Sequence, residues 1–247
     1  MRQVPDNFVD MVLTSPPYDD LRTYNGYSFD FESTAKELYR IVKDGGVVVW
    51  VVADQTKNGS ESGTSFKQAL YFKEIGFNLH DTMIWQKQTF TDTGSLQVRY
   101  AGVFEYMFVL SKGKPKTLNP IKDRINKTYG RHKYGGTVRQ KDGTVKDISN
   151  KGKPIAKKGQ RFNIWNINTE VSNLNRQHPA PFPEQLAHDH IISWSNERDL
   201  IYDPFMGSGT TAKMALMNKR NFIGSEISSD YVAIANKRLE QVQGSLF

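Results

Sequence analysis

"LIYDPFMGSGTTAKMAL", residues 200–216, decides the fold: a short β-forming run, two closely spaced glycines, then a helical pattern. Leu200 to Pro204 reads as a strand, and the helix runs from about Thr210 to Lys219. Gly207 and Gly209 permit tight backbone geometry between them, and the helix start offers free N–H groups. The next apolar run, "NFIGSEI", residues 221–227, reads as a further strand ending in Glu226, 19 residues after Gly207. An acid at that point is placed to accept hydrogen bonds from ribose hydroxyls. The full GxGxxG pattern is absent, and a glycine pair alone is only a turn. The complete order of strand, glycine loop, helix, strand and acid predicts a nucleoside-bearing cofactor.

The same alternation fills the chain upstream. Val9 to Leu13 reads as a strand, and "FESTAKELYRIVKDGG" carries Phe31, Ala35, Leu38, Tyr39 and Val42 at helical spacing, with Asp44-Gly45-Gly46 as the stop. "VVVWVVAD" is a strand buried on both faces. A Gly- and Ser-rich loop, 59–65, leads to the helix "SFKQALYFKEIG". "FNLHDTMIWQK" and "FEYMFVLSKG" are a strand pair near one sheet edge. "HPAPFPEQLAHDHIISWS" opens with three prolines and becomes a helix, and an amphipathic helix ends the chain. Strands alternating with helices predict an α/β fold with a doubly wound, mostly parallel sheet.

Of 247 residues 38% are hydrophobic, and the longest apolar run, 46–53, is too short to span a bilayer. The start lacks a signal peptide's apolar segment, so an intracellular, cytoplasmic protein with no membrane partner is expected. Without cysteine there is no disulfide framework, thiolate metal site or cysteine nucleophile, and the histidines lack metal-like spacing. His188 and His190, two apart in a helix, do not share a face and read as surface or packing residues. The net charge of +7 is unevenly spread: residues 112–161 hold 16 Lys and Arg against three Asp. The remaining chain holds 17 basic and 23 acidic groups, so a mildly acidic body carries a +13 insert. Its tyrosines, paired glycines and scarcity of large aliphatics suit a polyanion-binding surface better than a core. Lys133, Arg139, Lys151, Lys153, Lys157 and Lys158 are its candidate polyanion contacts. The expected organisation is 1–111, the insert 112–161, and 162–247.

"LTSPPYDDL", residues 13–21, ends the first strand. Pro16 and Pro17 lack ladder donors and fix φ, so the strand stops and Ser15 and Tyr18 sit on a stiff loop. A plain Pro-Pro turn is the bland reading. The functional one is a ligand loop at a strand's carboxyl end, where open α/β sheets bind ligands.

"TSPPY", then "DPFMGSGTT", then "GSEISSDYVAIANKRL" together closely resemble the DNA amino-methyltransferases that modify adenine N6 or cytosine N4. The order resembles one permuted class: catalytic loop first, target-recognition region in the middle, cofactor loop last. The resemblance covers most of the chain outside the insert. It implies a prokaryotic or phage-type restriction-modification enzyme acting on double-stranded DNA with S-adenosylmethionine. Asp203, Phe205, Gly207, Gly209, Thr210 and Glu226 would then line the cofactor pocket. "HPAPFP", through His178 and Phe182, resembles the segment that helps hold the methionine part. The short acidic turn that precedes the first strand in that class is missing, which leaves either a truncated sequence or another residue for the cofactor's adenine. A homodimer, which this class often forms, and a restriction endonuclease partner both stay open.

The resemblance gives the loop its chemistry. An exocyclic amine is a poor nucleophile because its lone pair is delocalised into the ring. The Ser15 hydroxyl and the Pro16 carbonyl are the acceptors that would draw on its two N–H groups, Pro17 helping to hold that carbonyl fixed. Tyr18 would stack on a base flipped from the duplex. In this family serine at the position of Ser15 goes more often with cytosine N4 and aspartate with adenine N6, so cytosine N4 is favoured and adenine N6 is the alternative. No metal is required, and a C5 cysteine adduct is ruled out by composition. Asp54, ending the buried strand, reads equally as a cofactor neighbour or a structural group. A catalytically silent nucleic-acid-binding module, a protein glutamine methyltransferase and an oxidoreductase are the more distant readings.

Overall fold

A computed structural model describes residues 1–17, 29–89, 96–147, 152–169 and 183–245. They form two compact units, Met1–Asn119 with Asn163–Phe247, and Pro120–Phe162.

In the larger unit, chain order gives β1 (Val9–Thr14), α1 (Phe31–Ile41), β2 (Val42–Val52), a small hairpin of β3 (Thr56–Lys57) and β4 (Ser60–Glu61), α2 (Thr64–Glu74), β5 (Asn78–Gln86) and β6 (Phe104–Ser111). In the smaller unit lie β7 (Arg124–Ile125), β8 (Thr137–Arg139), β9 (Val145–Asp147) and β10 (Lys158–Gly159). The larger unit resumes with β11 (Ile164–Asn166), α3 (Glu184–Trp194), β12 (Leu200–Asp203), α4 (Thr210–Met217), β13 (Asn221–Gly224) and α5 (Ser229–Ser245). Among the described residues the main sheet has seven strands in the order β11-β5-β6-β2-β1-β12-β13. It is parallel except where β6 runs against β2 and β5, so it is the mostly parallel α/β sheet expected.

Two elements depart from expectation. The first helix ends at Ile41, and Val42 is already a buried strand residue paired with Val9. Gly45 and Gly46 do not stop a helix. They form an irregularity inside β2, where the pairing steps from Val9↔Val42 to Met11↔Val47. Gly45 has φ +79°, and a Cβ on Gly46 would lie 2.8 Å from the Asp10 carbonyl oxygen, so neither position accepts a side chain. The other is β11, too short to show a period, which adds in parallel outside β5 and leaves the β5–β6 pair near the sheet edge, as expected.

The central strands are closed to solvent, with Val9, Met11, Val12, Leu13 and the run Val47–Val52 at or below 1% exposure. On one face α1 and α2 bury Ala35, Leu38, Ile41, Ala69 and Phe72 around Trp50 and Tyr202. The Trp50 Nε1–H donates to Gln68 at 2.8 Å, which satisfies the indole's only donor inside that core. α3 packs on β1 and α4 on β12 and β13, through residues outside that cluster. The chain therefore leaves β1 across one face to reach β2, and leaves β12 across the other to reach β13. β1 and β12 are neighbours, and the crevice at their carboxyl ends is the topological switch point of the sheet.

The unit Pro120–Phe162 is made of two ribbons, β7 with β10 and β8 with β9. None of its described residues is buried. Polar contacts take the place of a core. Arg161 pairs with Asp123 at 2.5 Å and holds that carboxyl below its usual range, and the Arg124 guanidinium lies 4.4 Å over the Phe162 ring. Among the described residues no helix is long and apolar enough to cross a membrane, and no cluster of three or more His, Asp or Glu side chains is placed to hold a metal ion.

Candidate active site

At the switch point the end of β1 and the end of β12 share one carboxylate. Asp203 is 3% exposed. Its Oδ1 accepts from the Thr14 hydroxyl at 2.7 Å and the Phe205 N–H at 3.0 Å, and its Oδ2 from the Thr211 hydroxyl at 2.7 Å. Thr14 immediately precedes Ser15, so this carboxylate joins the root of the Ser15-Pro16-Pro17 loop to the glycine loop. Burial pushes the Asp203 carboxyl up to about 6; its three donors pull it down, and the nearby Glu226 charge adds to the rise. Asp203, an expected cofactor-pocket residue, is bonded at both oxygens by protein donors at the root of the glycine loop.

The glycine loop is braced from two sides. Gly207 takes φ +51°, and its N–H donates to Glu226 Oε2 at 2.8 Å. Glu226 Oε1 accepts from Ile227 and Ser228 N–H groups, both at 2.9 Å. Three backbone donors on one carboxylate leave about one of its four lone-pair positions unused. Gly209, at φ +81°, is the N-cap of α4, and a Cβ there would lie 3.0 Å from the Ala235 Cβ. The tightness at Gly209 therefore lets α5 approach the loop. Arg238 of α5 is 9% exposed; its Nη1 donates to the Ser208 carbonyl at 2.6 Å and to the Ser208 hydroxyl at 3.0 Å. Its Nη2 reaches Glu184 at 2.9 Å, which also accepts from Lys213 at 2.6 Å. Thr210, the first residue of α4, is buried, its hydroxyl 3.4 Å from Arg238.

Of the other expected site residues, Ser15 and Pro17 are half-buried and Pro16 is buried. The Phe205 ring packs edge-on against Phe29 at 4.9 Å between centroids, joining the aromatic core. Tyr18, His178, Phe182 and Lys151 lie outside the described residues. Asp54 is structural: it accepts from Ser62 Oγ at 3.0 Å, Ser65 N–H at 2.9 Å and the Ser65 hydroxyl, which ties down the start of α2. His190 is fully buried with its ring 4.4 Å from that of Trp165, and His188 bonds Asp189. Lys133, Arg139, Lys153, Lys157 and Lys158 are all exposed and all belong to the smaller unit. Thr14, Thr211, Arg238 and Glu184 escaped the sequence reading. A threonine or an arginine in a regular element carries no local mark of a partner far along the chain.

Residues 9–237 match the N6_N4_Mtase family, described as DNA methylase. The chain is 58% identical over 245 residues to the orphan methyltransferase M.BamHII of Bacillus amyloliquefaciens, a match spanning 96% of this chain and 91% of that protein. Among solved structures it is similar to PvuII DNA methyltransferase (cytosine-N4-specific), with TM-score 0.70 and 21% identity over 98% of this chain and 86% of that one. It is also similar to the M1.HpyAVI–SAM complex, with TM-score 0.63 and 23% identity over 94% and 89% of the two chains. At these identities the two structures speak to the fold, a Rossmann-like sheet flanked by helices.

Proposed function

The chain belongs to the N6_N4_Mtase family of DNA methylases and is an S-adenosylmethionine-dependent DNA methyltransferase; on that premise we propose that it methylates the N4 amine of a flipped cytosine. One observation carries the reading: the loop bearing Ser15 hangs from Thr14, whose hydroxyl is tied to Asp203 at the root of the glycine loop. A group held by the glycine loop and a base held by the Ser15 loop thus meet at one crevice.

The residues fit the cofactor. The braced Glu226 carboxylate keeps one acceptor position for a ribose hydroxyl, and the loop at Gly207 is held open by the same bond. By the family resemblance His178 and Phe182, outside the described residues, would hold the methionine end. When bound, S-adenosylmethionine supplies an electrophilic methyl group on a sulfonium centre. The chain's part is to orient the amine. The Ser15 hydroxyl and the Pro16 carbonyl accept its two N–H groups and return lone-pair density to nitrogen, the prolines keep the carbonyl aimed, and Tyr18 stacks on the base. A hydroxyl both accepts and donates and so serves either amine; the family's tendency for serine at this position to go with cytosine N4 supports cytosine over adenine. Lys133, Arg139, Lys151, Lys153, Lys157 and Lys158 supply the cationic DNA surface of the insert.

The test is to digest DNA methylated by the protein to nucleosides and identify the product by mass spectrometry. N4-methylcytosine is expected, and N6-methyladenine as the sole product overturns the assignment. Ser15→Ala and Tyr18→Ala should each abolish the product while retaining cofactor binding. Full activity in both removes the clamp.

A further inference from the structure

We propose that one face of the β8–β9 ribbon, carrying Thr137, Arg139, Val145 and Asp147, reads base edges in the DNA major groove and sets which sequence is methylated. The assignment rests on the proposal that the insert holds the DNA substrate. In the ribbon Thr137 stands opposite Asp147, Val138 opposite Lys146, and Arg139 opposite Val145. Directly opposed residues of an antiparallel pair share a face. One face therefore presents Thr137, Arg139, Val145 and Asp147, and the other Val138 and Lys146.

All six side chains are exposed, Val138 by 52% and Val145 by 56%. An isolated two-stranded ribbon with no core beneath it is marginal in water. This one is shaped at its tip. The Gln140 N–H donates to the Thr144 carbonyl at 2.7 Å, the Gly143 N–H to the Gln140 carbonyl at 3.0 Å, and Asp142 Oδ1 accepts from both the N–H and the hydroxyl of Thr144. Those bonds hold the Asp142 carboxyl below its ordinary range. The turn is stiffly built while both faces stay bare.

A two-stranded ribbon is the shape the major groove admits. A surface that binds only phosphates needs positive charge; it gains nothing from an exposed valine and is opposed by a carboxylate. The face with Arg139 has both. Its side chains match base edges instead: arginine to guanine O6 and N7, aspartate to the cytosine amine, threonine to either kind of group, and a valine methyl to the thymine methyl. Lys153, Lys157 and Lys158 lie outside this ribbon, and their charge suits phosphate contact.

The experiment profiles methylated sites by sequencing a randomised duplex library treated with the full-length protein, Arg139→Ala, Arg139→Lys, Val145→Ala, or Lys153, Lys157 and Lys158 changed together to Ala. Arg139→Ala and Arg139→Lys should each relax discrimination at one position of the site, by roughly 5- to 150-fold. The triple lysine variant should weaken binding evenly across sequences and flatten its salt dependence, with the site profile unchanged. Parent-like profiles for both Arg139 variants and Val145→Ala overturn the ribbon assignment alone, including the case in which those variants change the oligomeric state. A parent that transfers no methyl group to DNA overturns the activity reading and the ribbon assignment together.

Discussion

The Thr14 hydroxyl donates to the Asp203 carboxylate at 2.7 Å across 189 residues of sequence, with both groups closed to solvent. Removing it leaves a buried carboxylate short of a donor and unties the Ser15 loop from the glycine loop. Thr14→Ala should lower stability by about 1–3 kcal/mol, the cost of an unmet buried hydrogen bond to a charged group. Thr14→Ser, which keeps the hydroxyl, should recover most of it. Urea midpoints of the three proteins at pH 7 decide the matter, and equal midpoints for parent and Thr14→Ala remove the tie.

Asp203 also predicts a pH signature. Its carboxyl is raised from 3.8 to about 6 by burial. Between those values the folded state keeps a proton that the unfolded chain has released, so this group's contribution is largest below pH 3.8. It declines as pH rises through 6, by about 3 kcal/mol in all as an order of magnitude. Paired carboxylates such as Glu37 and Asp123 are lowered and act in the opposite sense. The difference between parent and Asp203→Asn isolates the effect. An asparagine oxygen still accepts from Thr14 and Phe205, and its amide N–H donates to the Thr211 hydroxyl, which lies 3.3 Å from the Leu13 carbonyl. Asp203→Asn should be at least as stable as the parent at pH 7 and lose its advantage as pH falls from 6 to 4. A constant difference over that range refutes the titration.

Glu226 holds the Gly207 N–H, and its three protein donors leave it an unused acceptor position. Glu226→Ala should weaken S-adenosylmethionine binding by about 1–3 kcal/mol, since a charge-assisted bond and the loop's brace are lost together. Calorimetric titration measures it, and unchanged affinity displaces the pocket from this carboxylate.

Gly209 faces two costs if given a side chain: left-handed backbone at φ +81°, and a Cβ 3.0 Å from Ala235. Gly209→Ala should destabilise by about 1–2 kcal/mol from the backbone alone. Adding Ala235→Gly should relieve only the contact. Thermal unfolding of the single and double variants separates the two parts, and full recovery in the double variant would mean the backbone carries no strain.

Much of this fold was legible beforehand because its punctuation is local. Pro16 and Pro17 end β1 wherever they stand, and α1 repeats its apolar face within eleven residues. Gly45 and Gly46 misled because a glycine pair ends a helix or kinks a strand equally well, and the partner that settles which, Val9 on Val42, lies 33 residues away. β11 was missed because three residues show no period and its strand identity comes from β5.

The amino-acid sequence by itself determined the order of the two motifs, the kinds of side chain they bring, the absence of cysteine chemistry and the position of the basic insert. Each is a property of adjacent residues. Only the tertiary structure decided that Asp203 serves Thr14 and Thr211, that Glu226 holds Gly207, that Gly209 makes room for Ala235, and that Asp54 bonds Ser62 and Ser65 at the start of α2. Those assignments depend on desolvation and on which donor stands across the crevice. Neither exists until β1 and β12 lie side by side and water has left the space between them.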